Sequence, residues 1–395
     1  MEGRLIMIKI TPEQKYDYRI LNYLPMIKSK MSCGNKYDCK IGVLEFHPTN
    51  NCNLQCKHCT YKFRNNRDVY PFEQLENLRR LNPQALVLSG GGEPTFYSYG
   101  SKNFNDLVLA IRNCLPEVKI GLTTNGQVIV NGNWIHEMDW IRISVDTVDE
   151  HKFMETKGGS LGACLESLRY YLVNSRATVG IGFVYNNGNL DEIADFNKKI
   201  YSYLIQEGLK EYLYKINVQY RPTCQIESCN CPSKRYTQEN IIMVSDKEKQ
   251  WQNRERAQKE KILGDADIFF LSWVKKVTNL DLETNSERLF RYDNSLTNFH
   301  NCYYALVRNM LTPTGELYPC VVKATNNATP IGNILTDTDE EIFKGQQNYF
   351  LFNTKYCHGS VDCCRFFAKR NYYAEVAIKS PEFCVPDYIK DSPFM

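Results

Sequence analysis

From residue 42 onward, short apolar runs alternate with longer segments in which apolar residues recur every three or four positions. The short runs are GVLEFHP (42–48), ALVLSGG (85–91), KIGLTTN (119–125), WIRISVD (140–146), TVGIGFVY (178–185) and KINVQYR (215–221), and they read as strands. Between them PFEQLENLRRL (71–81), FNDLVLAIRNCL (104–115), LGACLESLRYYLVN (161–174) and DEIADFNKKIYSYLIQEG (191–208) carry the helical period. Six such units predict an α/β fold, a parallel sheet with helices outside it, either doubly wound or an incomplete barrel. Functional residues of such folds gather at the carboxyl ends of the strands.

Length and charge narrow this little. The 395 residues suit two or three domains, and 48 basic against 45 acidic side chains give no argument for nucleic acid or membrane as partner. Apolar runs stop at strand length, short of the roughly 18 residues of a membrane span. The opening MEGRLIMIKITPEQKYDY lacks the pattern of a signal peptide, so the expected location is cytoplasmic.

Cysteine changes the picture. There are 16, many for a reducing compartment, and they are clumped at 33 and 39; 52, 56 and 59; 224, 229 and 231; 302 and 320; 357, 363 and 364; and 384. Clumping favours metal or cluster ligation. Cys114 and Cys164 sit instead in apolar helical patterns and read as small buried hydrophobes. Structural zinc takes four ligands, usually from paired CxxC knuckles. The CxxxCxxC of Cys52, Cys56 and Cys59 offers three, with His58 between two of them keeping a Cys3His zinc site as the alternative. An iron–sulfur cubane with three protein-bound irons explains the spacing better, its fourth iron being open to another ligand.

The triplet follows the first strand, GGGEPT the second, TTNG the third, and SVD ends the fourth. In these motifs the chain resembles the radical S-adenosylmethionine (radical SAM) enzymes over most of residues 42–221. The resemblance implies a partial (β/α)6 TIM-type barrel and a [4Fe-4S] cluster on Cys52, Cys56 and Cys59. It further implies that S-adenosylmethionine fills the open iron, with Gly91, Gly92 and Glu93 meeting its amino group. Thr124 and Asn125 on the third strand, Ser144 and Asp146 on the fourth, and Val184 at the adenine side complete the implied cofactor site. The residue types suit that role. Glycines let backbone approach a ligand, and a carboxylate pairs with an ammonium by charge-assisted hydrogen bonds. Electron transfer to the cofactor would start a radical that takes hydrogen from substrate. The protein supplies position and exclusion of water.

Toward the C-terminus, Cys302, twelve residues, Gly315, four residues and Cys320 resemble the opening of the SPASM and shorter twitch auxiliary-cluster domains. TPTGELYPC reads as a hairpin with glycine in its turn, setting two cysteines side by side. The resemblance implies a small cysteine-rich α+β domain with one auxiliary [4Fe-4S] cluster on Cys302, Cys320, Cys357 and Cys363. Cys364 or Cys384 are alternates for the last place, and a zinc ribbon is the competing reading. The two-cluster spacing of full SPASM domains is not present.

Four segments result: an N-terminal extension (1–40), the radical SAM barrel (41–223), a partly helical linker or insertion (224–300) and the auxiliary domain (301–395). The charged part of the linker reads as a solvated helix face. Cys224, Cys229 and Cys231 follow the sixth strand at the functional rim and are candidate hydrogen-atom donors, partial cluster ligands or reduced loop thiols. The first 40 residues are about half the length of the winged-helix peptide-recognition element of peptide-modifying relatives.

The expected activity is hydrogen abstraction from an unactivated carbon, ending in epimerisation, dehydrogenation or cross-linking of a ribosomal peptide. The alternative substrate is a sugar or aminoglycoside-type metabolite. A non-catalytic zinc-binding interaction protein is the remote alternative, which the Gly-Gly-Glu motif argues against. A reductant such as flavodoxin or ferredoxin is an implied partner.

Overall fold

The computed structural model describes residues 17–32, 37–57, 59, 61, 66–185, 192–222, 300–325, 328–351 and 368–379. Its main sheet contains β1 (Val43–Phe46), β2 (Ala85–Leu88), β3 (Lys119–Thr124), β4 (Trp140–Ser144), β5 (Thr178–Tyr185), β6 (Ile216–Pro222), β7 (Arg308–Leu311), β8 (Glu316–Tyr318) and β9 (Gly332–Asn333). Across the sheet the order is β9-β8-β7-β1-β2-β3-β4-β5-β6. Strands β1 to β6 are parallel and lie side by side in chain order. A doubly wound sheet reverses its order at a switch point, and β1 to β6 show no such reversal.

The helices are α1 (Leu24–Ser32), α2 (Leu78–Leu81), α3 (Phe104–Cys114), α4 (Glu150–Lys157), α5 (Leu161–Asn174), α6 (Ile193–Gln206), α7 (Tyr303–Val307), α8 (Val321–Thr325), α9 (Asp339–Phe350) and α10 (Ala368–Lys379). The residues 71–81, expected to be one helix, form a 3-10 stretch over Phe72–Asn77 followed by the single turn of α2. α3 starts in a capping box between Asn103 and Asp106 and buries Phe104, Leu107, Val108 and Ile111 on one face. Ser160 caps α5, whose stripe of Leu161, Cys164, Leu168, Tyr171 and Leu172 packs on the same side of the sheet. The sequence pattern had no signal for α4, because only Phe153 and Lys157 of its eight residues are buried.

Strand alternation divides the interior in two. Leu44, Phe46, Leu86, Leu88, Ile120, Leu122, Ile141 and Ile143 face α3, α5 and α6 in the larger core. Val43, Ala85 and Val87 face the other way, onto Ile20, Leu21, Tyr23, Leu24 and Ile27 from the N-terminal segment and Tyr304, Leu306, Phe350 and Tyr373 from the C-terminal elements. Residues near both ends of the described chain thus close one face of the sheet together. Gly42 is required there, since a Cβ would lie 2.2 Å from the Tyr23 ring.

The hairpin expected near residue 315 is present. β7 and β8 pair antiparallel, and Gly315 takes a left-handed φ of 84° in the turn. β7 also lies parallel to β1, with Val43 opposite Arg308, so this hairpin continues the main sheet. Cys302 lies just before α7, so a helical turn separates it from the hairpin strand.

Candidate cofactor site at the sheet rim

The loop that leaves β1 carries Cys52, which is exposed, and Cys56 and Cys59, which are half-buried. Two neighbours hold its backbone. From the β2 side, the Glu93 amide donates to the Asn51 carbonyl at 2.7 Å. Gly92 permits that approach, since a Cβ there would stand 2.2 Å from the Asn51 oxygen. From the α4 side, the Thr156 carbonyl accepts from the Lys57 amide at 2.8 Å and the Lys157 carbonyl from the Gln55 amide at 3.2 Å. Farther along, the Tyr61 hydroxyl donates to the Met310 sulfur of β7 at 3.6 Å.

Amides already face the sulfurs: Leu54 N lies 3.5 Å from Cys52 Sγ, and Tyr61 N 3.4 Å from Cys59 Sγ. Burial raises the Cys52 pKa and pushes Cys56 up to about 11. As free thiols these residues would stay protonated, whereas a bound cationic centre would deprotonate them. Among the described residues no three His, Cys, Asp or Glu side chains converge as ligands of one ion. His58 lies outside the described residues.

Glu93 ends the second motif and is 3% exposed. Its Oε1 accepts from Thr95 N at 3.2 Å, Thr95 Oγ1 at 2.8 Å and Thr124 Oγ1 at 2.7 Å, and its Oε2 from Asn125 N at 2.7 Å. Oε2 accepts one bond against the three shared by Oε1, and an oxygen with two lone pairs retains a place for a further donor. Burial raises its pKa despite these four bonds, because none of the donors is a cation. A buried carboxylate with acceptor capacity and no cationic partner among the described residues fits a ligand ammonium. Asn125 joins this carboxylate to the cysteine loop: its Nδ2 donates to Asn53 Oδ1 at 2.8 Å and reaches Cys52 Sγ at 3.9 Å. Gly91 lies in the loop between β2 and Glu93, half-buried.

The fourth-strand residues are arranged differently. Asp146, at a left-handed φ of 64°, forms a buried ion pair with Lys157 at 2.7 Å and accepts from Val184 N at 2.8 Å. Lys157 also donates to the Ser144 carbonyl at 2.8 Å. The Asp146 carboxylate therefore braces β4, β5 and α4 together, and Ser144 and Val184 stay half-buried beside it. Sequence reasoning missed Lys157, a charged residue in a charged helix.

Cys114 and Cys164 are buried, and burial pushes the Cys164 thiol up to about 12. Cys164 donates to the Asn125 carbonyl at 3.2 Å. Cys39 is buried as well and donates to the Arg80 carbonyl at 3.3 Å. Of the auxiliary set, Cys302 and Cys320 are described and half-buried, and the Asn371 side-chain amide lies 3.9 Å from Cys302 Sγ. Cys357, Cys363, Cys364 and Cys384 fall outside the described residues, as do Cys33 and the Cys224, Cys229 and Cys231 group.

A polar cluster beside Val43 on β1 also escaped the sequence pattern. Arg308 Nη2 of β7 lies 2.6 Å from Glu45 Oε2 of β1, and His47 Nε2 lies 3.3 Å from the other oxygen. Burial by itself would raise the Glu45 pKa, but the His47 hydrogen bond and the Arg308 charge hold it well below the carboxylate range.

No described helix is long and apolar enough to cross a membrane. Residues 46–200 match the Radical SAM superfamily. An uncharacterized protein of Methanocaldococcus jannaschii is 27% identical over 182 residues, which cover 42% of this chain and 60% of that protein. An S-adenosylmethionine-dependent nucleotide dehydratase of a Thermoplasmatales archaeon is 25% identical over 128 residues, covering 31% of this chain and 44% of that protein. The chain thus spans less than two thirds of the length of either curated relative. Among solved structures, Streptococcus suis SuiB bound to its precursor peptide SuiA superposes with a TM-score of 0.53 at 15% identity, covering 87% of this chain and 72% of SuiB. SuiB bound to S-adenosylmethionine gives 0.51 at 17% identity, covering 76% of this chain and 65% of SuiB. These likenesses establish a shared fold.

Proposed function

We propose, with the match of residues 46–200 to the Radical SAM superfamily as premise, that the chain is an enzyme that reductively cleaves S-adenosylmethionine and abstracts hydrogen from an unactivated carbon. One observation carries the reading: Asn125 ties the buried carboxylate of Glu93 to the loop of Cys52, Cys56 and Cys59. On this reading the parallel sheet curves as a partial (β/α)6 barrel. Cys52, Cys56 and Cys59 hold a [4Fe-4S] cluster, and Glu93 receives the amino group of S-adenosylmethionine at Oε2. When bound, cluster and cofactor supply one-electron cleavage and a carbon radical strong enough to take hydrogen from an unactivated position. The chain's own part is to place these groups. Gly92 lets the second motif approach the cysteine loop, Thr124 and Asn125 orient Glu93, and the Asp146–Lys157 pair braces the strand ends around them.

The favoured substrate is a ribosomal peptide. The fold likeness to SuiB, whose structure includes a precursor peptide, supports this. A small-molecule substrate, of the sugar, aminoglycoside or nucleotide kind, is the second reading, supported by similarity to the nucleotide dehydratase. Cys302, Cys320, Cys357 and Cys363 would hold an auxiliary [4Fe-4S] cluster, which would supply one-electron oxidation, whereas a thiol of Cys224, Cys229 or Cys231 would return a hydrogen atom. Flavodoxin or ferredoxin would supply the electron that starts the reaction.

Anaerobically reconstituted protein should release 5′-deoxyadenosine from S-adenosylmethionine with dithionite as reductant. Iron-loaded protein that releases none overturns the assignment. With substrate in deuterated water, an oxidative outcome leaves no solvent deuterium and a product two hydrogens lighter. A product of unchanged formula carrying one deuterium would assign epimerisation instead.

A further inference from the structure

We propose that Asn125 is a positioning residue that hydrogen-bonds the Cys52 sulfur through its side-chain amide and thereby makes the cluster at Cys52, Cys56 and Cys59 easier to reduce. The inference rests on the functional reading above and gives Asn125 a second task, separate from the backbone bond by which it holds Glu93.

The two tasks use different atoms. The backbone amide of Asn125 donates to Glu93 Oε2, and any amino acid except proline would keep that bond. The side chain turns toward the cysteine loop instead. Which end of a side-chain amide faces a neighbour is decided by its partners. Here Oδ1 accepts from the Gln127 amide at 2.9 Å, so Nδ2 is the end at the loop. An amide nitrogen carries two hydrogens. One goes to Asn53 Oδ1 at 2.8 Å, and Cys52 Sγ lies 3.9 Å from the same nitrogen, within reach of the other.

The fold holds this amide from behind. The Asn125 carbonyl accepts from Cys164 Sγ at 3.2 Å. Gln127 is fixed in turn at the start of α5, where its Nε2 donates to the Ser160 carbonyl and its Oε1 accepts from the Ser160 amide, both at 2.8 Å. Gly159 makes room for that pair, since a Cβ there would stand 2.5 Å from Gln127 Oε1. The Leu54 amide, 3.5 Å from Cys52 Sγ, belongs to the cysteine loop itself. Asn125 brings its donor from the end of a different strand.

Hydrogen bonds to cluster sulfurs are among the determinants of the reduction potential. A donor favours the state with more negative charge on sulfur, which is the reduced one. A cluster-bound thiolate also draws a donor closer than a neutral thiol does, because charge-assisted bonds are shorter. Loss of the Asn125 amide should therefore lower the potential.

The test is an anaerobic redox titration of the reconstituted full chain without S-adenosylmethionine, read by electron paramagnetic resonance. The signal lost on replacing Cys52, Cys56 and Cys59 with Ala identifies this cluster. At full iron content, Asn125→Leu should shift its reduction equilibrium about threefold toward the oxidised form, about 28 mV for one electron. Asn125→Asp keeps the shape and the Oδ1 acceptor but turns an anionic oxygen toward Cys52, so it should shift further the same way. Asn53→Ala breaks the same Asn125–Asn53 bond and leaves the donor in place, so its potential should not fall. An Asn125→Leu potential equal to wild type overturns the proposal. A fall in Asn53→Ala that matches Asn125→Leu overturns it too, because Asn125 would then only anchor the loop. If neither Asn125 variant takes up iron, Asn53→Ala decides alone, a potential at or above wild type supporting the proposal and a lower one overturning it. Wild type that forms no cluster would remove the functional reading and this inference together, whereas a cluster with unshifted potentials removes only the inference.

Discussion

The backbone amide of Asn125 donates to Glu93 Oε2 at 2.7 Å, which fixes the buried carboxylate at the end of β2 against the first residue beyond β3. Through the other end of Asn125 the same unit reaches the loop of Cys52. Three motifs separated along the chain become one hydrogen-bonded group, and that coupling makes the site testable residue by residue.

Glu93→Gln removes a charge and keeps the shape. S-adenosylmethionine should bind more weakly by about 1–3 kcal/mol, the scale of a hydrogen bond to a charged group. Iron content should not change. Anaerobic calorimetry checks the affinity and iron analysis the content, and equal affinities would reduce Glu93 to a brace for Thr124 and Asn125.

Replacing Cys52, Cys56 and Cys59 together with Ala should abolish reductive cleavage of S-adenosylmethionine. If the auxiliary cluster is present, iron should fall from about eight to about four atoms per chain, the content of one [4Fe-4S] cluster. Iron and sulfide analysis of anaerobically purified protein reads the change. Cleavage at the wild-type rate would refute the assignment of the triplet.

Gly92→Ala tests the contact between the two motif loops. Its Cβ would stand 2.2 Å from the Asn51 carbonyl oxygen, and that neighbour is backbone and cannot rotate away. Overpacking of this kind costs about 1–3 kcal/mol. The expected result is a lower melting temperature with poorer iron uptake. Gly100→Ala is a control for added volume, because a Cβ there meets nothing within 4 Å, although its left-handed φ of 58° carries its own strain.

The Glu45–Arg308 pair predicts an acid-sensitive fold. The folded-state pKa of Glu45 lies below its ordinary 4.5, so the pair's contribution is present above that value and lost as pH falls below it. Arg308→Met leaves the carboxylate with His47 alone and should cost about 3–5 kcal/mol near neutral pH, the usual cost of breaking a buried pair. Urea unfolding from pH 7 to pH 3 should show a steep acid loss for wild type and a shallower one for the variant.

Local pattern made much of the architecture legible. Alternation placed β1 to β6 within a few residues, because a strand between helices must show apolar side chains to its neighbours. Helical spacing located α3, α5 and α6 by their buried stripes. The motifs after the first four strands could be assigned to one rim once the strands were read as parallel, because parallel strands end on the same side. The α4 helix and the contacts of Lys157 were not legible, since a buried lysine in a charged helix has the same spelling as an exposed one. Pairing over long separations was not legible either.

By itself, then, the sequence determined the alternating elements, the parallel sheet and the cysteine-rich rim, all properties of side-chain period and local spacing. Only the tertiary structure decided that β7 lies beside β1, with Arg308 opposite Val43. It also decided that the N-terminal segment closes the sheet together with α7 and α10, and that Asp146 pairs with Lys157. The physical reason is that period records which side of an element is buried, whereas partners far apart in the chain are selected by shape and charge that exist only once the elements are packed.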